Sequence, residues 1–154
     1  HSEVDLRALV VDAVGDAQAA GPDHEWSVDA AESPVVVSGD DARLRQVLAN
    51  LLANARLHTP AGTAVTARLT KADGRARLDI VDDGPGIDEG LRDRLFERFA
   101  RGDASRSRRA GSTGLGLAIV RAVVEAQHGT VSVESKPGRT VFTVELPLAA
   151  ASVG

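Results

Sequence analysis

The stretch Arg43-Leu-Arg-Gln-Val-Leu-Ala-Asn50-Leu-Leu-Ala-Asn54-Ala combines an apolar stripe with a polar ridge. Its apolar residues recur at three- and four-residue spacing, which predicts an amphipathic helix over residues 41–58. Residues 38–41 supply capping side chains, and Thr59-Pro60 predicts the end of the helix. The buried face would consist of Leu44, Val47, Leu48, Leu51, Leu52 and Ala55.

The segments on either side of this helix complete an α/β pattern. Helical spacing recurs over residues 5–17 and 115–127, and a short helix is predicted at 91–96. Strands are predicted at 25–28, 35–37, 64–71, 75–81, 130–135 and 141–146. This order predicts an α/β (α+β) two-layer sandwich, in which three main helices cover one face of a mixed, mostly antiparallel sheet of about five strands.

The composition is that of one globular domain. The chain has 154 residues, 43% of them hydrophobic and 26% charged, with a net charge of −4. The lack of cysteine excludes disulfides and thiolate zinc sites, and no apolar run is long enough to span a membrane. Because the chain also lacks methionine, we expect a piece of a larger protein, with residues 1–4 a cloning remnant or linker and residues 149–154 a C-terminal tail.

The helix predicted at residues 41–58 carries a polar ridge with Gln46, Asn50, Asn54 and His58 at intervals of four. Amides beside a buried face need partners, and an asparagine oxygen is a suitable ligand for Mg²⁺. Polar contact with a neighbouring loop is the alternative.

Two glycine-rich junctions also suggest chemistry. In Asp82-Asp-Gly84-Pro-Gly86-Ile87, an acid and two glycines follow a predicted strand, so a flat ligand with an amino group could approach closely; a solvated turn is the alternative. Residues 111–117 enter a helix directly after five arginines accompanied by a single acid, Asp103, which favours an anion site over a plain hinge or a solvated loop. This second junction matches neither the Walker A nor the Rossmann pattern.

Four blocks together resemble the ATP-binding catalytic domain of two-component sensor histidine kinases. Residues 43–55 resemble the N box of that family, and residues 82–87 its first glycine box. Leu95-Phe-Glu-Arg-Phe99 is similar to the F box, and Gly114-Leu-Gly116-Leu117 to the second glycine box. The resemblance extends over residues 5–148 and implies a Bergerat-type (GHKL) sandwich with an ATP lid at about residues 98–113.

The resemblance implies ATP and Mg²⁺ as cofactors. It assigns Mg²⁺ to Asn54 and the adenine amino group to Asp82, with Thr140 supporting Asp82 through a hydrogen bond or water. His58 takes the place of an aromatic residue that packs on adenine. The implied ATP-binding residues are Asn50, Asn54, Arg56, His58, Asp82, Gly84, Gly86, Ile87, Phe99, Arg101, Arg106, Thr113, Gly114, Leu115, Gly116, Leu117 and Thr140.

Three positions depart from the family pattern or bear on its chemistry. Leu57 stands where the family has a basic residue, and Arg56 lies one position earlier, about 100° away around a helix. The chain has one glycine fewer before Thr140 than many relatives. Asn50 replaces the glutamate that activates water in ATP-hydrolysing relatives, so we expect transfer of the γ-phosphoryl group rather than hydrolysis.

The implied activity is that of a histidine protein kinase in two-component signal transduction. The γ-phosphoryl group of ATP would pass to a histidine on a separate dimerisation domain, and then to a response regulator. None of the four histidines lies in the family's phosphoacceptor context. We therefore expect a monomeric fragment of a homodimeric kinase that is cytoplasmic and anchored in the cell membrane, with no nucleic-acid partner. The alternatives are a serine kinase of the anti-sigma-factor type and a non-catalytic ATP sensor.

Overall fold

The fold is described by a computed structural model for residues 2–86 and 112–149; for residues 112–116 only the backbone is described. In chain order the elements are β1 (Ser2–Asp5), α1 (Leu6–Ala20), β2 (Glu25–Ala30), β3 (Val36–Gly39), α2 (Asp41–Leu57), β4 (Ala64–Ala72), β5 (Arg75–Asp82), α3 (Ser112–Ala126), β6 (Thr130–Lys136) and β7 (Arg139–Pro147).

The main sheet has five strands in the order β2-β4-β5-β7-β6. Strand β2 pairs parallel to β4, and the other neighbours are antiparallel. Residues along β4 and β7 alternate between buried and partly exposed, because one face of each strand lies against the helices and the other faces outward. The β5–β7 register places Asp82, the last residue of β5, opposite Thr140.

A second, two-stranded sheet joins the two ends of the described chain. Strand β1 pairs antiparallel with β3, and a bridge connects Val37 of β3 to Leu148. The Ala149 N–H donates to the Val36 carbonyl over 2.8 Å. Asp5 caps α1 by accepting the Arg7 N–H, and the same oxygen accepts the Val35 N–H.

Helix α2 lies in the middle of the helical layer, in contact with both α1 and α3. Its apolar face is buried in one core with the inward-facing residues of the sheet, and Leu51 has no exposed surface. The backbone N–H of Arg43 donates to Asp40 at the start of the helix, as expected for an N-cap. The single core contains residues from all three helices and from both sheets.

The predicted fold class is confirmed, with three helices on a mixed five-stranded sheet. The sequence pattern does not predict β1, and it predicts β2 two residues too short. The helix predicted at residues 91–96 lies outside the described residues. None of the helices in residues 2–86 and 112–149 has the length and apolar character needed to cross a membrane.

A close contact behind β7 makes Gly129 a test of this packing. A Cβ atom at Gly129 would lie 2.3 Å from the Glu145 carbonyl oxygen and 2.7 Å from Leu146 Cδ2. We expect Gly129→Ala to lower the free energy of unfolding by about 1–3 kcal/mol, because backbone must move to admit the methyl group. Urea denaturation measures this change.

Gly15 in α1 provides the matched control. No atom lies within 4 Å of the position that its Cβ would take. Gly15→Ala should therefore raise the free energy of unfolding by roughly 0.5–1 kcal/mol through helix propensity alone. Equal effects of the two substitutions would contradict the packing described around Gly129.

Candidate nucleotide-binding site

A small pocket lies where the C-terminal end of α2 meets the ends of β5 and β7. Its predicted members are Asn54, His58, Asp82, Gly86 and Thr140, which the fold brings together from four segments. Ala55, Thr59 and Phe142 line it as well, although the sequence did not indicate them as site residues. Thr59 was interpretable only as part of a helix stop, and Phe142 only as a core residue.

Asp82 is the buried acid of this pocket, with 5% of its surface exposed. The backbone N–H of Gly84 donates to Asp82 Oδ1 over 3.0 Å. Burial raises the pKa of Asp82 above its ordinary range; the Gly84 N–H opposes this shift, and the nearby Asp83 carboxylate adds to it. No hydrogen bond between described residues uses Asp82 Oδ2, so that oxygen can accept a hydrogen bond from a ligand.

Asp83 has a different, structural role although it is adjacent. Its side chain is exposed, and its Oδ1 accepts the backbone N–H of Ala64 over 2.9 Å. The Asp83 N–H in turn donates to the Ala64 carbonyl over 3.2 Å. These two bonds continue the β4–β5 pairing by one residue beyond Val65 and Asp82. Asp82 therefore lies in the pocket, whereas Asp83 closes the end of the hairpin that is opposite its turn.

Thr140 is buried opposite Asp82, and no hydrogen bond between described residues joins the two side chains, so of the two links that the family resemblance implies only the one through water stays a prediction. Among the described residues its hydroxyl pairs with Ser135 Oγ on β6, at 2.7 Å. Thr140 is the direct cross-strand partner of both Asp82 and Ser135, and its hydroxyl is directed toward Ser135. Thr140 therefore links the pocket wall to the edge strand.

Gly84 and Gly86 permit close packing on both sides of the loop that follows β5. A Cβ at Gly84 would lie 2.7 Å from Thr59 Cγ2, and one at Gly86 would lie 2.7 Å from the Lys136 carbonyl. Gly86 also has a φ of +92°, which favours glycine. The Gly84 carbonyl accepts the N–H of Gly138 over 3.0 Å, so the β6–β7 turn supports this loop.

Arg56, for which the family resemblance implies a contact with ATP, does not line this pocket. Its Cδ atom lies against Gly21, where a Cβ would come within 2.3 Å, and the side chain borders a groove between α1 and α2. The rotation of about 100° per residue explains this direction. Leu57, at the position of the family's basic residue, is 53% exposed.

The remaining predicted site residues lie in residues 87–111, which the structure does not describe, or at the start of α3. Ile87, Phe99, Arg101 and Arg106 lie outside the described residues, as does most of the predicted lid. Helix α3 begins at Ser112, three residues earlier than predicted. The predicted second glycine box, Gly114-Leu115-Gly116-Leu117, therefore lies inside α3, as does Thr113, and the side chain of Leu117 is part of the core.

The donor set of the pocket fits a magnesium ion that is shared with phosphate. Asn54 is 5% exposed, and no hydrogen bond between described residues uses its side-chain amide. An amide oxygen is a hard ligand of the kind that Mg²⁺ accepts. Residues 2–86 and 112–149 contain no cluster of three or more His, Cys, Asp or Glu, so Asn54 would share the ion with phosphate oxygens and water.

Comparison with known proteins identifies a matching family. Residues 39–150 match the family model described as histidine kinase-, DNA gyrase B-, and HSP90-like ATPase. Two similar proteins come from Mycobacterium tuberculosis: the probable sensor histidine kinase TcrY, 60% identical over 94% of this chain, and the sensor histidine kinase TrcS, 46% identical over 95%. In each case the chain spans 30% of the length of the relative.

Solved structures show the same likeness. The mycobacterial sensor histidine kinase MprB superposes with a TM-score of 0.80 at 33% identity, over 97% of this chain and 98% of that one. The ATP binding domain of PrrB from Mycobacterium tuberculosis gives a TM-score of 0.78 at 30% identity, over 97% and 98%.

The raised pKa of Asp82 predicts that this residue reduces the stability of the unliganded fold. The protonated, neutral form of Asp82 is the one that suits the buried position, so its contribution to stability is fully present below the ordinary pKa of 3.8. That contribution is lost as the pH rises through the raised pKa, because the buried side chain then becomes charged. An amide keeps the acceptor for Gly84 without the buried charge. We therefore expect Asp82→Asn to raise the Tm at pH 7 by roughly 1–4 °C, and the difference to shrink as the pH falls toward about 4.

Thermal unfolding without nucleotide at several pH values measures this difference. Asp83→Asn is the control, because the exposed Asp83 carboxylate accepts a backbone N–H, and it should produce no such gain. A lower Tm for Asp82→Asn at neutral pH would contradict the interpretation.

Proposed function

This chain belongs to the histidine kinase-, DNA gyrase B-, and HSP90-like ATPase family, and we propose that it is the ATP-binding catalytic domain of a sensor histidine kinase. In this proposal it binds Mg-ATP and donates the γ-phosphoryl group to a histidine on a separate dimerisation domain. The observation that carries the proposal is the buried Asp82 carboxylate, which has one unused oxygen in the same pocket as the buried amide of Asn54.

The base-binding step follows from the chemistry of Asp82. A carboxylate accepts hydrogen bonds, so Oδ2 can take one from the exocyclic amino group of adenine. Guanine has a carbonyl oxygen at that position, which would face the carboxylate unfavourably. The Gly84 N–H holds Oδ1, and the two glycines let a flat ring approach the backbone.

The phosphoryl-transfer step depends on position and charge. Asn54 would hold Mg²⁺ together with the phosphates, where the ion supplies neutralisation of phosphate charge. Asn50 is half-buried one turn earlier on α2, and its amide cannot act as a general base toward water. This residue therefore favours transfer to an external acceptor over hydrolysis.

The larger protein follows from the same assignment. We infer a homodimeric kinase with its phosphoacceptor histidine on a dimerisation domain, a response regulator as the next acceptor, and a membrane anchor that leaves this domain in the cytoplasm. Two relatives support this inference: both are named sensor histidine kinases, and each is about three times as long as this chain. In the anti-sigma-factor alternative the acceptor would be a serine, and in the sensor alternative no transfer would occur.

Nucleotide titration tests the base-binding step. Asp82→Asn keeps one oxygen for the Gly84 N–H but places an NH2 donor where Oδ2 would accept from adenine, and we expect ATP to bind more weakly by about 1.5–3 kcal/mol, roughly 10- to 100-fold. Asp83→Asn should change the affinity less than 2-fold or so, because Asp83 faces the hairpin end. Calorimetry with ATP and GTP, with and without Mg²⁺, measures these values; equal losses in the two variants would reject Asp82 as the base acceptor.

Phosphoryl transfer is tested by supplying the histidine-bearing hairpin of the cognate kinase in trans with labelled ATP. We expect a label on the hairpin that is stable to base and labile to acid, as for phosphohistidine. Transfer to a serine of an anti-anti-sigma protein, or no transfer, would favour one of the alternatives.

Phosphate release in the absence of the hairpin is the companion measurement. The wild type should release little phosphate, whereas Asn50→Glu introduces a general base and should release more, on the order of 10-fold. An unchanged rate would contradict the role assigned to Asn50.

A further inference from the structure

His24 lies outside the pocket, in the connection between α1 and β2, and it contacts the pocket wall. Its Nε2 atom is 2.8 Å from the hydroxyl of Thr59. That hydroxyl donates its only hydrogen to the Ala55 carbonyl over 2.6 Å. Because Thr59 has no second hydrogen to give, Nε2 of His24 must carry the hydrogen, which fixes the tautomer of the ring.

The imidazole of His24 is held on several sides. The His24 backbone N–H donates to the Gly21 carbonyl, and the same carbonyl accepts the Trp26 indole N–H over 2.7 Å. The rings of His24 and Trp26 are tilted against each other with centroids 5.7 Å apart. Nδ1 is buried without a hydrogen-bond partner among the described residues, which disfavours a hydrogen on that atom.

Thr59 transmits this contact to the base-binding carboxylate. Thr59 lines the pocket together with Asp82. The position that a Cβ at Gly84 would take is 2.7 Å from Thr59 Cγ2 and 3.1 Å from Asp82 Oδ1. The methyl group of Thr59 and the carboxylate of Asp82 therefore border the same narrow space, and rotation of Thr59 would remove one of its walls.

We propose that His24 is a positioning residue for adenine recognition, which acts by donating a hydrogen bond from Nε2 to Thr59 and so fixing the wall beside Asp82. This inference rests on the proposed function of ATP binding. His24 itself does not touch the nucleotide. Its effect should appear in the contact between Asp82 and the amino group of adenine, and not in the binding of the rest of the nucleotide.

Two substitutions at His24 and one nucleotide analogue test the proposal. His24→Leu keeps an apolar contact with Trp26 but removes the donor, whereas His24→Gln retains an N–H donor. Purine riboside triphosphate lacks the amino group that Asp82 would bind. We expect His24→Leu to weaken ATP binding about 3- to 10-fold with little change for the analogue, and His24→Gln to restore most of the loss. His128→Asn, at an exposed helix end, is the control and should bind ATP as the wild type does.

Equal losses for ATP and the analogue, or no loss in His24→Leu, would overturn the proposal. Imidazole ¹⁵N spectra of the wild type give a second measurement that does not depend on variants. We expect Nε2 of His24 to carry the hydrogen in the neutral ring, and a neutral ring with its hydrogen on Nδ1 alone would also overturn the proposal. If the wild type binds no ATP, both the proposed function and this inference fail; if it binds ATP and His24→Leu is unchanged, only this inference fails.

Discussion

Burial of α2 against the five-stranded sheet is the constraint on which the other features depend. The helix contributes the most completely buried leucine, Leu51, and it contacts both other helices. Once its apolar face is fixed on the sheet, its last turns must lie over the ends of β5 and β7. The buried amide of Asn54 and the buried carboxylate of Asp82 are thereby brought to one pocket although they are 28 positions apart in the chain.

Stability and recognition oppose each other at Asp82. A carboxylate in this position loses hydration, and the Gly84 N–H compensates only in part, so the pKa is raised. A neutral side chain of the same shape would suit the unliganded fold better. In the proposed function the acid has a use that a neutral side chain lacks, because it would accept a hydrogen bond from the amino group of adenine, and binding sites are commonly kept at such a cost to the fold.

The sequence predicted the three main helices and the strands of the main sheet because their apolar periodicities are long and regular, but it did not predict that β2 pairs with β4 or that β5 pairs with β7. It did not predict β1, since four residues carry little pattern and their partner, β3, is more than 30 positions away. The sequence placed Asp82 in the first glycine box, whereas its burial depends on packing between distant segments, which the local pattern does not contain. Arg56 does not line the pocket because a one-residue step around a helix changes the direction of the side chain, and its contact with ATP stays a prediction. The Ser135–Thr140 bond and the His24–Thr59 contact depend on register and on side-chain rotation, which no single-sequence pattern contains.

The position of β2 at one edge of the main sheet has a consequence for its local stability. Within that sheet β2 pairs only with β4, whereas β5 and β7 each have a neighbour on both sides. The β2–β4 pairing also joins segments that are distant in the sequence, because Ser27 and Thr66, which share a hydrogen bond across the two strands, are 39 positions apart. We therefore expect the amide hydrogens of β2 to exchange with solvent faster than those of the central strands β5 and β7.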